Sequence, residues 1–448
     1  MYKFTGFLFL PMFISTRELY AVFLQHSKIC TDSRKPEKDA LFFALSGPNF
    51  NGNTFAAAAL DQGCSYAVVD DPKYVADNRY LLVENCLLAL QELARFRRKQ
   101  LEAKIIAITG SNGKTTTKEL LAAVLRKRYR TFATSGNLNN HIGVPLTLLS
   151  MPENTEMAVI EMGASKQGDI KELVEIAEPD FGIITNIGKA HLEGMGGYEG
   201  VVKTKTELYD FIRHSGGKVF VNSIHDVFLN RSEGMRCIYY GQRDTDFVCG
   251  AFIDSNPYVR FRWKSSQDST QLSEKPELQT VLMGFYNYEN LLAAAAVGAY
   301  FGVDELSVNE ALCAYNPDNN RSQMLETGKN LLIMDAYNAN PSSMEAALRN
   351  FTEMNKSHKV LILGKMMELG ETWESEHRRI AQLANESGAE KIFFVGDLYH
   401  KAGISSCTQL FNEVGEAQNY FKENPLTGCT ILIKGSRSNR LELLKEVF

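Results

Sequence analysis

The sequence predicts an α/β chain of three domains. Apolar, strand-like runs of about five residues alternate with helical periods along most of the chain, the rhythm of helices layered on mostly parallel sheets. The 448 residues also exceed what one core sustains, since single hydrophobic cores stop growing near about 250–300 residues. The rhythm restarts twice, which predicts domains over residues 1–100, 101–320 and 321–448.

The elements follow in chain order. Residues 4–14 (FTGFLFLPMFI) are apolar but too short to span a bilayer, and no small-residue cleavage site follows them. The expectation is that Met12 is the true start and that residues 14–23 open the first helix. The first domain ends in a basic helical stretch, 94–104. The second should carry strands at 104–109 (KIIAIT), 157–161 (MAVIE), 181–185 (FGIIT) and 218–222 (KVFVN), with a β-rich patch near 246–263. Its helices are expected at 116–128, 199–212 and 288–301. After a polar linker, 316–321 (NPDNNR), the third domain should place strands at 330–334, 359–363, 391–395 and 430–434, with helices at 342–354 and 375–387.

Composition narrows the class. Hydrophobic residues at 44% and charged residues at 23% exclude a disordered or collagen-like chain. A formal charge of −5 argues against sequence-independent nucleic-acid binding, which needs many cationic phosphate contacts. The eight cysteines form no CxxC pair, so a zinc ribbon or thioredoxin-type site is not expected; scattered single cysteines fit a reducing cytoplasm.

The strongest chemical signal is residues 109–117 (TGSNGKTTT), between a buried strand and a helix. There the backbone N–H groups of Gly110, Ser111, Asn112 and Gly113 can converge on anionic oxygens, and the helix N-terminus at Thr115–Thr116 adds its positive dipole end. Lys114 would reach the β- and γ-phosphates, and the Thr115 hydroxyl would ligate Mg²⁺. The spacing is G-x-x-G-K-T, with Ile108 where the standard phosphate-loop pattern has its first glycine. The bland alternative is a glycine-rich turn with a chance Lys-Thr.

Three further residues stand out. Glu161 ends a strand, where a doubly wound sheet lines its ligand crevice, so it is placed to hold Mg²⁺; taken alone, a strand-end glutamate is more often a loop or capping carboxylate. His191, in residues 185–193 (TNIGKAHLE), follows another strand end and is by itself an ordinary turn histidine. Lys205, on a helix, reads by composition as a solvated lysine.

Together these residues resemble the Mur ligase family, ATP-dependent amide-forming enzymes of cell-wall precursor assembly, over nearly the whole chain. The resemblance implies an N-terminal UDP-sugar-binding α/β domain, a central P-loop ATPase-like sheet and a C-terminal Rossmann-like domain. It places Asn140, in residues 137–149 (NLNNHIGVPLTLL), near the transferred phosphoryl group. Glu161 and His191 match the family's magnesium-site residues, and Lys205 its carbamylated lysine, which helps hold a second Mg²⁺. Carbamylation needs a neutral amine, present in only about one lysine in a few thousand at neutral pH, so the metal site would trap the product. Asn287 and Asn290, in residues 284–291 (GFYNYENL), are implied to approach the adenine, Arg321 the γ-phosphate, and Asp335 the nucleotide from the third domain. Ser33 and Arg34 in residues 31–34 (TDSR) are similar to the uridine diphosphate contacts, and Lys434, Ser436 and Arg437 in KGSR to a C-terminal substrate loop.

Residues 161–164 (EMGA), 335–344 (DAYNANPSSM, with Asn338 and Asn340 as substrate contacts) and 364–370 (GKMMELG) resemble the branch that adds D-alanyl-D-alanine to UDP-N-acetylmuramoyl-tripeptide. The pattern is broken at Tyr286, where the family more often has His, at Lys365, where it usually has Asp, and at Asn51 and Asn53. The implied cofactors are ATP, two Mg²⁺ and the carbamate on Lys205; the implied partners are those two substrates, with no nucleic acid, no membrane insertion and a monomeric, cytoplasmic chain. The alternatives are a sister amino-acid-adding ligase, a folylpolyglutamate synthase-like enzyme, or, in another class, a P-loop kinase or nucleotide-gated binding protein.

Overall fold

A computed structural model describes residues 12–317 and 321–448. The apolar segment before Met12 and residues 318–320 of the polar linker lie outside the described residues. Among the described residues no helix is long and apolar enough to cross a membrane.

The chain forms three sheets. The first is parallel, in order β1 (Ile29–Cys30), β2 (Leu41–Phe43), β3 (Tyr66–Val69) and β4 (Tyr80–Leu82). The opening helix Thr16–Gln25 is set by a capping box: Ser15 accepts from the Glu18 N–H while the Glu18 carboxylate accepts from the Ser15 N–H. The helix Cys86–Gln100 carries the basic stretch and ends the first unit. Its Leu90, Leu93 and Ala94 belong to a core that runs on through Ile105, Ala107 and Ile160, so the first sheet and one face of the second share buried apolar surface.

The second sheet has nine strands: β5 (Lys104–Thr109), β6 (Thr131–Ala133), β7 (Met157–Glu161), β8 (Phe181–Ile184), β9 (Lys218–Asn222), β10 (Cys237–Gly241), β11 (Val248–Ser255), β12 (Val259–Ser265) and β13 (Leu278–Gln279). Its spatial order is β13-β12-β11-β10-β9-β8-β5-β7-β6. Pairing is parallel from β6 to β11 and antiparallel over β11, β12 and β13, which is the β-rich patch. β5 and β7 are buried on both faces, which their near-continuous Ile/Val/Ala/Met runs require. The helix Phe285–Tyr300, buried nearly all round through Leu291–Gly298, covers the other face together with Lys114–Leu125.

The third sheet comprises β14 (Gln323–Glu326), β15 (Leu331–Asp335), β16 (Lys359–Gly364), β17 (Lys391–Val395), β18 (Gln409–Phe411) and β19 (Thr430–Lys434), in order β14-β15-β19-β16-β17-β18 and parallel except for β14. Helices Pro341–Glu353 and Trp373–Glu386 pack on it. The helix boundaries expected in the second and third domains shift by one to three residues, and boundaries of three of the expected strands by one. The strand expected at 181–185 stops at Ile184; the Thr185 N–H still bonds the Thr109 carbonyl at 3.0 Å, and the Thr185 hydroxyl donates to the Asn112 carbonyl of the phosphate loop at 2.6 Å. The helix expected from residue 116 begins at Lys114, because left-handed Gly113 turns the chain directly into it.

Candidate active site

Three adjacent parallel strands, β8, β5 and β7, deliver their C-terminal ends to one side of the second sheet. From β5 comes the phosphate loop, from β7 Glu161, and from β8 the loop that carries His191. From the third sheet, β15 and β19 bring Asp335 and Lys434 side by side in register. Between these two sets lies a cavity of about 1010 Å³.

The phosphate loop is braced by the neighbouring strand end. Asn186 accepts the Asn112 N–H on Oδ1 at 2.9 Å and the Ser111 N–H on its carbonyl at 3.0 Å. Ser111 Oγ and the Gly188 backbone exchange two further bonds at 3.0 and 3.1 Å. Glycine is required twice: Gly110, at φ +146°, leaves no room for a Cβ, which would stand 2.0 Å from Thr185 Oγ1, and Gly113, at φ +77°, would place one 2.8 Å from Asn290 Oδ1. The first N–H groups of the helix Lys114–Leu125 have no intrahelical acceptor and face this loop, which makes the loop an anion cradle.

Lys114 donates to the Gly110 and Ser111 carbonyls at 2.7 and 3.2 Å. Burial pushes its ammonium down to about 8; Glu161 opposes the shift and Arg321 adds to it. Glu161 is 1% exposed. Its Oε1 accepts from Asn139 Nδ2 at 2.8 Å, while Oε2 is buried with no partner among the described residues. Arg321 lies 3.9 Å over the Tyr337 ring, with its buried Nε likewise unpartnered. An orphaned carboxylate oxygen within reach of the Lys114 charge, with Arg321 on the same cavity wall, is what a site for a divalent cation and a polyanion provides. Among the described residues no three His, Cys, Asp or Glu side chains converge as a ready-made metal cluster.

Of the residues singled out from sequence, the cavity wall gathers Ser111–Thr116, Asn140, Glu161, His191, Asn287, Asn290, Arg321, Asp335, Asn338, Asn340 and Lys434. Several are also tied into the protein. Asn140 Oδ1 caps the next helix through the Ile142 and Gly143 N–H groups, and its neighbour Asn139, unnoticed in the sequence, is the one that touches Glu161. Asn287 and Asn290 form a buried chain from the Met283 carbonyl to the Thr117 hydroxyl. Asn340 caps the helix Pro341–Glu353 in a capping box with Ser343, and its Nδ2 reaches Asn112 Oδ1 at 2.8 Å, joining the third domain to the phosphate loop. Lys434 Nζ pairs with Asp335 at 2.6 Å. Tyr286, where the family more often has His, donates to or accepts from Ser322 Oγ at 2.8 Å, and burial pushes its phenol up.

Others lie off the cavity wall. Lys205 is not a solvated lysine: it is 1% exposed beneath the site, its ammonium has no hydrogen-bond or ion-pair partner among the described residues, and burial, reinforced by the charge of Lys114, holds it well below the usual lysine range. Ser33 and Arg34 sit on the first domain's surface, where Arg34 pairs with Asp32 at 2.8 Å. Ser436 is buried against the Lys365 carbonyl at 2.8 Å, and exposed Arg437 lies 5.3 Å over the Tyr337 ring.

The Mur ligase middle domain family matches residues 108–298, and the family described as Mur ligase, glutamate ligase domain, matches residues 320–437. A UDP-N-acetylmuramoyl-tripeptide--D-alanyl-D-alanine ligase of Bacillus subtilis (strain 168) is 34% identical over 92% of this chain and 91% of its own length. The enzyme so named in Escherichia coli (strain K12) is 32% identical over 95% of this chain and 94% of its own length. A crystal structure of MurF from Acinetobacter baumannii superposes with a TM-score of 0.83 at 31% identity, covering 94% of this chain and 92% of that one. MurF from Thermotoga maritima, at 24% identity and a TM-score of 0.83, shares the fold over 95% of this chain and 97% of that one. With all three sheets, the phosphate loop and nearly the full length matched, the chain belongs to the Mur ligase family.

Proposed function

We propose that this chain is the ADP-forming ligase that joins D-alanyl-D-alanine to UDP-N-acetylmuramoyl-tripeptide, acting as a monomer in the cytoplasm. The observation that carries the reading is the single cavity shared by the phosphate loop, Glu161 and His191 of the second domain and Arg321, Asp335 and Lys434 of the third. Relatives of that name over more than nine-tenths of the chain support the choice of substrates.

A free carboxylate is a poor acyl donor, since oxide would have to leave. Its oxygen attacks the γ-phosphorus of ATP, ADP departs, and the carbonyl carbon becomes an acyl phosphate. The dipeptide's neutral amine then attacks that carbon, and the tetrahedral intermediate collapses to the amide as the nitrogen gives up a proton and phosphate leaves with the former carboxylate oxygen. The protein's work is positioning and charge neutralisation. Lys114, the loop N–H groups and Arg321 hold the phosphates; Thr115, Glu161, His191 and a carbamylated Lys205 would hold two Mg²⁺. Bound there, the metal ions supply charge neutralisation to the phosphoryl group in flight. The depressed ammonium of Lys205 supplies more of the neutral amine that carbamylation consumes. Asp335, Asn338 and Lys434 reach the same space from the third domain, so docking of that domain completes the site. Ser33 and Arg34 bind the uridine diphosphate end, and Ser436 and Arg437 the peptide end.

Omission assays test the reading. The purified chain is given ATP, Mg²⁺, the UDP-tripeptide and D-alanyl-D-alanine, each left out in turn, with phosphate release and product mass read together. A UDP-pentapeptide that requires all four is expected. Phosphate release without dipeptide incorporation would point to a sister ligase; phosphorylation with no carboxylate substrate, to a kinase.

A further inference from the structure

His191 and Glu368 are 177 residues apart and come from different domains, yet the His191 Nδ1 and the Glu368 carboxylate meet as a hydrogen-bonded pair at the rim of the cavity. Both residues hold left-handed backbone, at φ +52° for His191 and φ +62° for Glu368, a conformation that non-glycine residues adopt at a cost. The contact is over-determined. The Glu368 carbonyl accepts the Glu193 N–H at 3.4 Å. Beside it, Lys189 reaches the buried Glu376 at 2.7 Å, and the Lys189 N–H donates to Ser342 Oγ at 2.8 Å.

A carboxylate facing one ring nitrogen places the proton on Nδ1, and in the neutral ring this leaves the Nε2 lone pair as the one free to bind a metal. That Nε2 has no hydrogen-bond partner among the described residues, and His191 lines the cavity. We propose that Glu368 is a positioning residue supplied by the third domain, which orients His191 as a metal ligand only when that domain is docked. The inference rests on reading this cavity as a magnesium–nucleotide site, and it couples domain docking to metal affinity through one side chain.

The test is Mn²⁺ binding to the protein–ADP complex, followed by the electron paramagnetic resonance of free Mn²⁺, for wild type, Glu368→Ala and Glu368→Gln. The Glu368 side chain is 55% exposed, so both variants should unfold at the wild-type temperature. Glu368→Ala should weaken Mn²⁺ binding by about 10–100-fold. Glu368→Gln, whose amide oxygen still accepts the Nδ1–H bond, should stay within about threefold of wild type. Wild-type Mn²⁺ affinity in Glu368→Ala overturns the proposal while leaving the ligase reading intact. A Gln variant as weak as the Ala variant also overturns it, because the carboxylate would then be needed for its charge. Wild type that binds no Mn²⁺ with ADP removes this inference and the nucleotide-site reading together.

Discussion

Raising the pH should weaken ATP binding through Lys114. Its ammonium, pushed down to about 8 by burial, is the cation at the centre of the phosphate loop. Only the protonated form attracts phosphate, so the apparent KM for ATP should scale as one plus the ratio of neutral to charged lysine. That factor is about 1.1 at pH 7, about 2 at pH 8 and about 11 at pH 9, a tenfold rise across the range. The γ-phosphate is already ionised there, so its own titration does not contribute. The sign is fixed: affinity is full below about pH 8 and falls by about tenfold per unit above it. ATP binding near pH 8 should also take up about half a proton, because the polyanion restores the ammonium. The assay is KM for ATP between about pH 6.5 and 9.5, with calorimetry in two buffers of different ionisation enthalpy. Lys114→Arg, which does not titrate in this range, should give a weaker but flat profile. A wild-type KM that stays flat to pH 9.5, or proton release on binding, would refute the reasoning.

Lys205→Ala should lose most activity and recover part of it when a small carboxylate such as formate is supplied; turnover like wild type discards the metal-site assignment. In wild type, a carbamate signal from ¹³C-bicarbonate should appear and should be absent in Lys205→Ala. Thr117→Val strands the Oδ1 of buried Asn290 and should cost about 1–3 kcal/mol of stability, read as a lower urea midpoint at unchanged slope. Asn340→Ala removes a helix cap, at about 1 kcal/mol, and should raise KM for ATP as well, because the same side chain holds Asn112; a pure stability effect would show that the domain link is idle.

The central parallel strands of the second and third sheets were legible almost to the residue, because strands buried on both faces read as unbroken apolar runs, whereas the shorter or edge strands Thr131–Ala133, Cys237–Gly241, Leu278–Gln279, Gln323–Glu326 and Gln409–Phe411 were not read. The first sheet was not, since strands of two to four residues, such as Ile29–Cys30 and Leu41–Phe43, carry too few positions for a period. The phosphate loop declared itself by its glycines, whereas Lys205 read as solvated. A signal for its burial was present: Val201, Lys205, Leu208 and Ile212 follow the apolar spacing of one helix face, and all four are buried. Asn139 could not be told from Asn140 without the register of the turn that aims it at Glu161. Glu368, Lys189 and Tyr337 lie within motifs the sequence singled out, but no role for them could be read there, because contacts between domains obey no local period.

On the proposed function, one cavity activates a carboxylate as an acyl phosphate and passes it to an amine. Isotope transfer reads that step in a single turnover product. UDP-N-acetylmuramoyl-tripeptide labelled with ¹⁸O in its reacting carboxylate is turned over with ATP and D-alanyl-D-alanine, and the released phosphate is analysed by mass. Phosphate carrying one ¹⁸O for each amide formed is the expected result, because the carboxylate oxygen leaves with the phosphoryl group. Unlabelled phosphate beside an amide product would rule out the acyl phosphate, since ATP would then be hydrolysed without ever touching the carboxylate.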